Sequence, residues 1–107
     1  MNVRHAIVAA TPVVVVEDDN DTLELYSMSL RAAGYDVRPA RTGAEALAHA
    51  DADRIDLALL DVMLPDTDGF GLLHRLRRAQ PDMAAVFVTA RDGLEDRLTG
   101  LTRGGDD

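Results

Sequence analysis

Val13-Val14-Val15-Val16-Glu17-Asp18-Asp19 is the stretch that decides the fold. Four consecutive β-branched residues cannot offer one face to water, so the run reads as a strand buried on both faces, as in a parallel sheet covered by helices. It stops abruptly on acids, which puts carboxylates at the strand's carboxyl end. Downstream, Ile55 to Leu60 is a second apolar run, and it too stops on a carboxylate, Asp61. Ala84 to Val88 is a third, stopping at Thr89.

Helical spacing fills the gaps. Asn20 or Asp21 can cap a helix on which Leu23, Tyr26, Leu30 and Ala33 share a face, with Gly34 at the C-terminal glycine position. Tyr35 to Ala40 alternates weakly and predicts a short strand. Thr42 and Glu45, three residues apart, form a capping box that opens a helix through Ala46, Leu47 and Ala50. Pro65 to Gly69 reads as a loop, and Leu72, Leu73 and Leu76 predict a helix over 70–80 that Pro81 ends. Leu94, Leu98 and Leu101 predict a last helix over 94–103, closed by Gly104-Gly105. Residues 1–11 read as a tail and residues 12–107 as the domain. Strand and helix alternate four times, which predicts a doubly wound parallel sheet. Such sheets bind ligands beyond the carboxyl ends of their strands. Glu17, Asp18, Asp61 and Thr89 should therefore meet at one edge.

Composition narrows the chemistry. A chain of 107 residues is one small domain. Hydrophobic residues at 47% exclude a disordered acidic tail, and no apolar run approaches the roughly 20 residues of a spanning helix. With no targeting segment, the expected compartment is the cytoplasm. The absence of cysteine removes disulfides, thiolate zinc sites and cysteine nucleophiles. A net charge of -8 argues against a nucleic-acid footprint. All 11 basic residues are arginine, so a step that needs lysine cannot be completed within these residues.

Two like charges about 4 Å apart repel by roughly 4 kcal/mol at an effective dielectric of about 20. Clustered carboxylates are therefore either partly protonated or share a cation. An all-oxygen donor set suits Mg2+, and a phosphoryl group can join such an ion. Asp61 would then be the nucleophile, and Thr89 would donate to a phosphoryl oxygen.

Four motifs in order carry a resemblance: Val13-Val14-Val15-Val16-Glu17-Asp18-Asp19; Asp56 through Asp61-Val62-Met63-Leu64-Pro65-Asp66-Thr67-Asp68-Gly69; Val86-Phe87-Val88-Thr89-Ala90-Arg91; and Gly104-Gly105-Asp106-Asp107. Over residues 13–107 the chain resembles the receiver domain of two-component response regulators. That resemblance implies a flavodoxin-like fold with strand order 2-1-3-4, the family's fifth strand and helix falling after Asp107. It implies that Asp61 takes a phosphoryl group from a sensor histidine kinase. Mg2+ would be held by Glu17, Asp18, Asp61 and the Met63 carbonyl. The Val62 and Ala90 amides would bind phosphoryl oxygens, with Thr89 as the switch hydroxyl. The acceptor would switch conformation to control an output domain, and DNA would be reached only through that domain.

The family's lysine and switch aromatic also fall after Asp107, so a chain ending there is expected to be a fragment of a longer regulator. The bare edge of the fourth strand should then pair with a second copy, a swapped segment, or the tail from Val3 to Ala10. The rival reading is an interaction module that dimerises through that edge without accepting phosphate. A small phosphohydrolase is a third, and a turnover enzyme is not expected. Asp66 and Asp68 read as structural loop acids, and Asp19 and Asp21 as part of the start of the first helix. His5, His49 and His74 lack ligand spacing. A calcium loop at Asp66-Thr67-Asp68-Gly69 fails because Phe70 and Arg77 stand where oxygen ligands belong. Met63, two residues after Asp61, also departs from a haloacid-dehalogenase-like aspartate pair.

Overall fold

A computed structural model of the chain describes residues 10–88 and 98–102. Its elements are β1 (Pro12–Val16), α1 (Asn20–Ala32), β2 (Asp36–Ala40), α2 (Gly43–Ala52), β3 (Leu57–Asp61), α3 (Gly69–Ala79), β4 (Ala84–Val88) and β5 (Leu98–Thr102). The sheet order is β2-β1-β3-β4-β5. The first four strands are parallel, in the expected order. β1 lies between β2 and β3, and Val13 to Val16 are buried on both faces as the valine run requires.

Two cores result from the period-2 alternation. One face sends Val14, Val16, Ala58, Leu60, Ala85 and Phe87 into a cluster with Leu72, Leu73 and Leu76 of α3 and Ala46 and Ala50 of α2. The other sends Val13, Val15 and Val37 against Leu23 of α1, with Tyr26, Leu30, Leu57 and Leu59 half-buried at its margin.

Helix ends follow their caps. Asp19, rather than Asn20 or Asp21, caps α1: its carboxylate accepts from the Thr22 N–H at 2.9 Å and the Thr22 hydroxyl at 2.7 Å. Asp19 is placed to reach the third helical amide, which is where an N-cap acid bonds. Gly34, at φ +98°, takes the left-handed turn that follows α1. Thr42 caps α2 by accepting from the Glu45 N–H at 3.1 Å, while Glu45 reaches back to the Arg41 N–H at 2.8 Å. Asp68 caps α3 by accepting from the Gly71 N–H at 2.6 Å.

The structure departs from the sequence expectation in one element. Residues 98–102 are not helical; they form β5, antiparallel to β4, with Val86 opposite Leu101 and a bulge at Phe87/Val88. The sheet is thus mixed and five-stranded where the sequence reading has a missing fifth strand. Leu-Thr-Gly-Leu-Thr explains the change: Gly100 and two β-branched threonines weaken a helix. The outer backbone groups of apolar β4 also need partners. The edge expected to be bare is therefore occupied from within the chain. The tail Val3 to Ala10, proposed as its cover, lies outside the described residues up to residue 9.

Candidate functional site: an acidic cluster at the carboxyl ends of β1 and β3

Register builds the site. Val13 pairs with Leu57 and Val15 with Leu59. Continuing the alternation by one residue beyond β1 sets Glu17 beside Asp61, on the same face of neighbouring strands. One carboxylate oxygen each from Glu17, Asp18 and Asp61 lies within 4.8 Å of the other two. Glu17 and Asp61 are buried, at 3% and 4% exposure, while Asp18 is exposed. An open cavity of about 360 Å³ adjoins Asp18 and is lined by Arg41, Thr42, Glu45 and Pro65.

The carboxylates differ in their supports. Glu17 Oε2 accepts from the Asp19 N–H at 3.0 Å. Glu17 Oε1 is buried with no hydrogen-bond partner. Burial pushes the Glu17 carboxyl up to about 7, the Asp19 N–H opposes this, and the Asp61 and Asp18 carboxyls add to the rise. Asp61 Oδ1 accepts from the Met63 N–H at 3.2 Å. A buried acceptor without a donor, inside a cluster of hard oxygen ligands, is the arrangement a divalent cation completes. The residues present therefore fit Mg2+ or Ca2+.

The loop after Asp61 is held tightly. The Gly69 N–H donates to the Val62 carbonyl at 2.7 Å. A Cβ on Gly69 would lie 2.4 Å from the Asp61 carbonyl oxygen, so only glycine permits this approach. Asp66 accepts from the Gly43 and Ala44 N–H groups of α2, at 2.8 and 3.1 Å. Those amides hold its carboxyl below the usual range, the Gly43 N–H contributing most.

Of the residues singled out from the sequence, Glu17, Asp18 and Asp61 come together. Met63 follows in the loop, its side chain exposed and its amide on Asp61. The Val62 N–H, expected to bind a phosphoryl oxygen, donates at 3.3 Å to the Val88 carbonyl. Thr89 and Ala90 lie outside the described residues. Asp66 and Asp68 are structural, as read, but the bridge from Asp66 to α2 is not legible from spacing. Its one signal is that a capping box leaves the Gly43 and Ala44 amides in need of an acceptor.

The fold and the acidic edge define a class, and comparison with known proteins agrees. The family model for the response regulator receiver domain matches residues 13–107, and the chain belongs to that family. It is 43% identical over 104 residues to the probable transcriptional regulatory protein TcrX of Mycobacterium tuberculosis, covering 97% of this chain and 44% of TcrX. The chain thus spans less than half the length of that curated relative. Among solved structures it resembles a CheY-like receiver domain protein of Methanospirillum hungatei, with a TM-score of 0.73 and 33% identity over 81% of this chain and 70% of that one. It also resembles a Burkholderia pseudomallei response regulator with a phosphorylated aspartic acid and a calcium ion, with a TM-score of 0.71 and 26% identity over 79% of this chain and 50% of that one. Among the described residues, no helix is long and apolar enough to cross a membrane.

Proposed function

We propose that Asp61 is the phosphoacceptor of a two-component relay and that Glu17, Asp18, Asp61 and the Met63 carbonyl hold Mg2+. The observation that carries this reading is the buried, unpartnered Glu17 Oε1 within a cluster whose three carboxylate oxygens lie within 4.8 Å of one another. The phosphorylated aspartate and calcium ion of the Burkholderia relative support it. When bound, the ion neutralises charge on the phosphoryl oxygens.

The chain's own residues do the rest. An Asp61 oxygen forms the P–O bond as the P–N bond of a kinase phosphohistidine breaks, and the departing imidazole nitrogen takes a proton. The Met63 N–H keeps Asp61 oriented. Glu17 gives up its proton as the cation enters, since burial favours its neutral form. Thr89 and Ala90, with Val62, are assigned to the phosphoryl oxygens on the family resemblance. For Val62 this requires its N–H to leave the Val88 carbonyl. The domain is an acceptor and switch rather than a turnover enzyme. Its partners are a sensor histidine kinase and an output domain that reaches DNA, and its compartment is the cytoplasm.

Acetyl phosphate with Mg2+ should yield an acid-stable, hydroxylamine-labile adduct at Asp61, found by mass spectrometry of the protein. Labelling that persists in Asp61→Asn would overturn the assignment.

A further inference from the structure

We infer that Asp66 is a positioning residue for the acidic cluster, acting through the loop that orients Asp61. This rests on the reading of Glu17, Asp18 and Asp61 as a cation site. The chain of contacts is continuous. Asp66 fixes the loop to the first turn of α2 through the Gly43 and Ala44 amides. Within the loop, the Leu64 N–H donates to the Thr67 carbonyl at 3.1 Å, which closes a turn around Asp66. Met63 bridges Asp68 across the same turn. The Met63 N–H in turn donates to Asp61 Oδ1. A shift of the turn away from α2 therefore moves the donor that holds the nucleophile.

Gly43 shows how closely the two parts are fitted. A Cβ there would lie 2.8 Å from Thr67 Cγ2 and 3.3 Å from Asp66 Oδ1. Thr67 cannot simply rotate away, because its hydroxyl accepts from Arg75 Nη2 at 3.0 Å and donates to the Asp68 carbonyl at 3.3 Å. Gly43 is needed here for the docking of another segment, since α2 itself would prefer alanine. The acceptor loop is thus referenced to α2 as well as to its own strand and helix.

Two substitutions separate position from charge. Asp66→Ala removes the tether together with a negative charge. Gly43→Ala pushes the loop outward and changes no charge. Groups behind metal ligands commonly tune affinity by about 10-fold or more. In an Mg2+ titration of the full chain followed by amide chemical shifts, both variants should bind about 10-fold more weakly, with their spectra otherwise folded. Asp66→Asn, which keeps one acceptor oxygen, should fall between Asp66→Ala and the parent.

Unchanged affinity in both variants overturns the inference. So does weakening in Asp66→Ala alone, which a charge effect explains. Unfolding by either substitution also overturns it, because a contact that merely orients the loop should not hold up the domain. Asp18→Asn serves as the control. If this variant binds Mg2+ as tightly as the parent chain, the cation-site reading itself has failed, and that is distinguishable from failure of the tether.

Discussion

The two faces of the sheet are closed to different degrees. Toward α2 and α3, every strand residue of the central strands is sealed: Val14, Val16, Ala58, Leu60, Ala85 and Phe87 are all at most 3% exposed. Toward α1, Val13 and Val15 are sealed, but Leu57 and Leu59 of β3 and Val86 of β4 are only half-buried. Strand alternation puts Glu17 and Asp61 on the α1 side, in line with Val13-Val15 and Leu57-Leu59. The loop that steadies Asp61 is fastened from the opposite side, by Asp66 to α2 and Asp68 to α3. The acidic cluster thus sits on the face that the described residues cover less fully, and its loop is fastened to the tighter one.

The largest effect should come from neighbours on opposite faces of one strand. Leu60→Ala opens a cavity in the sealed core and should cost about 3–4 kcal/mol. Leu59→Ala, already half in water, should cost about 1–2 kcal/mol, because less area is lost and the site can relax. Urea denaturation of the two variants measures the contrast. Equal losses would break the comparison of faces.

The acidic edge should give a pH signature next in size. Glu17 is raised from 4.5 to about 7. A raised acid stabilises the fold fully below its unfolded value, and that stability is lost as pH rises through the folded value. Without divalent cation, stability should fall between pH 4.5 and 7, by on the order of 2–3 kcal/mol. Glu17→Gln should flatten that slope, and millimolar Mg2+ should restore stability at pH 7 to the parent chain only. Thermal melts across this window read all three outcomes. A profile that rises through the same range would break the link between burial and charge at this edge.

Gly69→Ala tests how the tight face holds the site. Its Cβ must displace the Asp61 carbonyl oxygen, 2.4 Å away, and overpacking of this kind costs about 1–3 kcal/mol. The same variant should lose acetyl phosphate labelling at Asp61 beyond what its stability predicts, measured at a temperature where it remains folded.

Much of this was readable in the chain. The valine run, the two other apolar runs and the acids that end them are local features, and they are enough to place β1, β3, β4 and the cluster. β5 was not readable, because its pairing is decided by the open edge of β4 rather than by its own residues, while the spacing of Leu98 and Leu101 also suits a helix. The shift of the α1 cap to Asp19 was ambiguous for a simpler reason: Asp19, Asn20 and Asp21 are all good caps, and only the position of Thr22 chooses among them. The tether from Asp66 to α2 joins residues 23 and 22 positions apart, and no local periodicity encodes such a bond.

The smallest predicted effect concerns the looser face. Ser27 is buried in α1 at 3% exposure, and its hydroxyl has no hydrogen-bond partner. A buried hydroxyl without a partner keeps its desolvation cost and gains no bond in return. Ser27→Ala removes that cost and raises helix propensity, so it should stabilise the domain by about 0.5–1 kcal/mol. The gain should appear in urea midpoints at constant m-value, with Mg2+ affinity unaltered, since Ser27 lies outside the acidic cluster. If stability fell instead, the hydroxyl would be shown to hold α1 in place, and the α1 face would owe its order to a polar contact rather than to loose apolar packing.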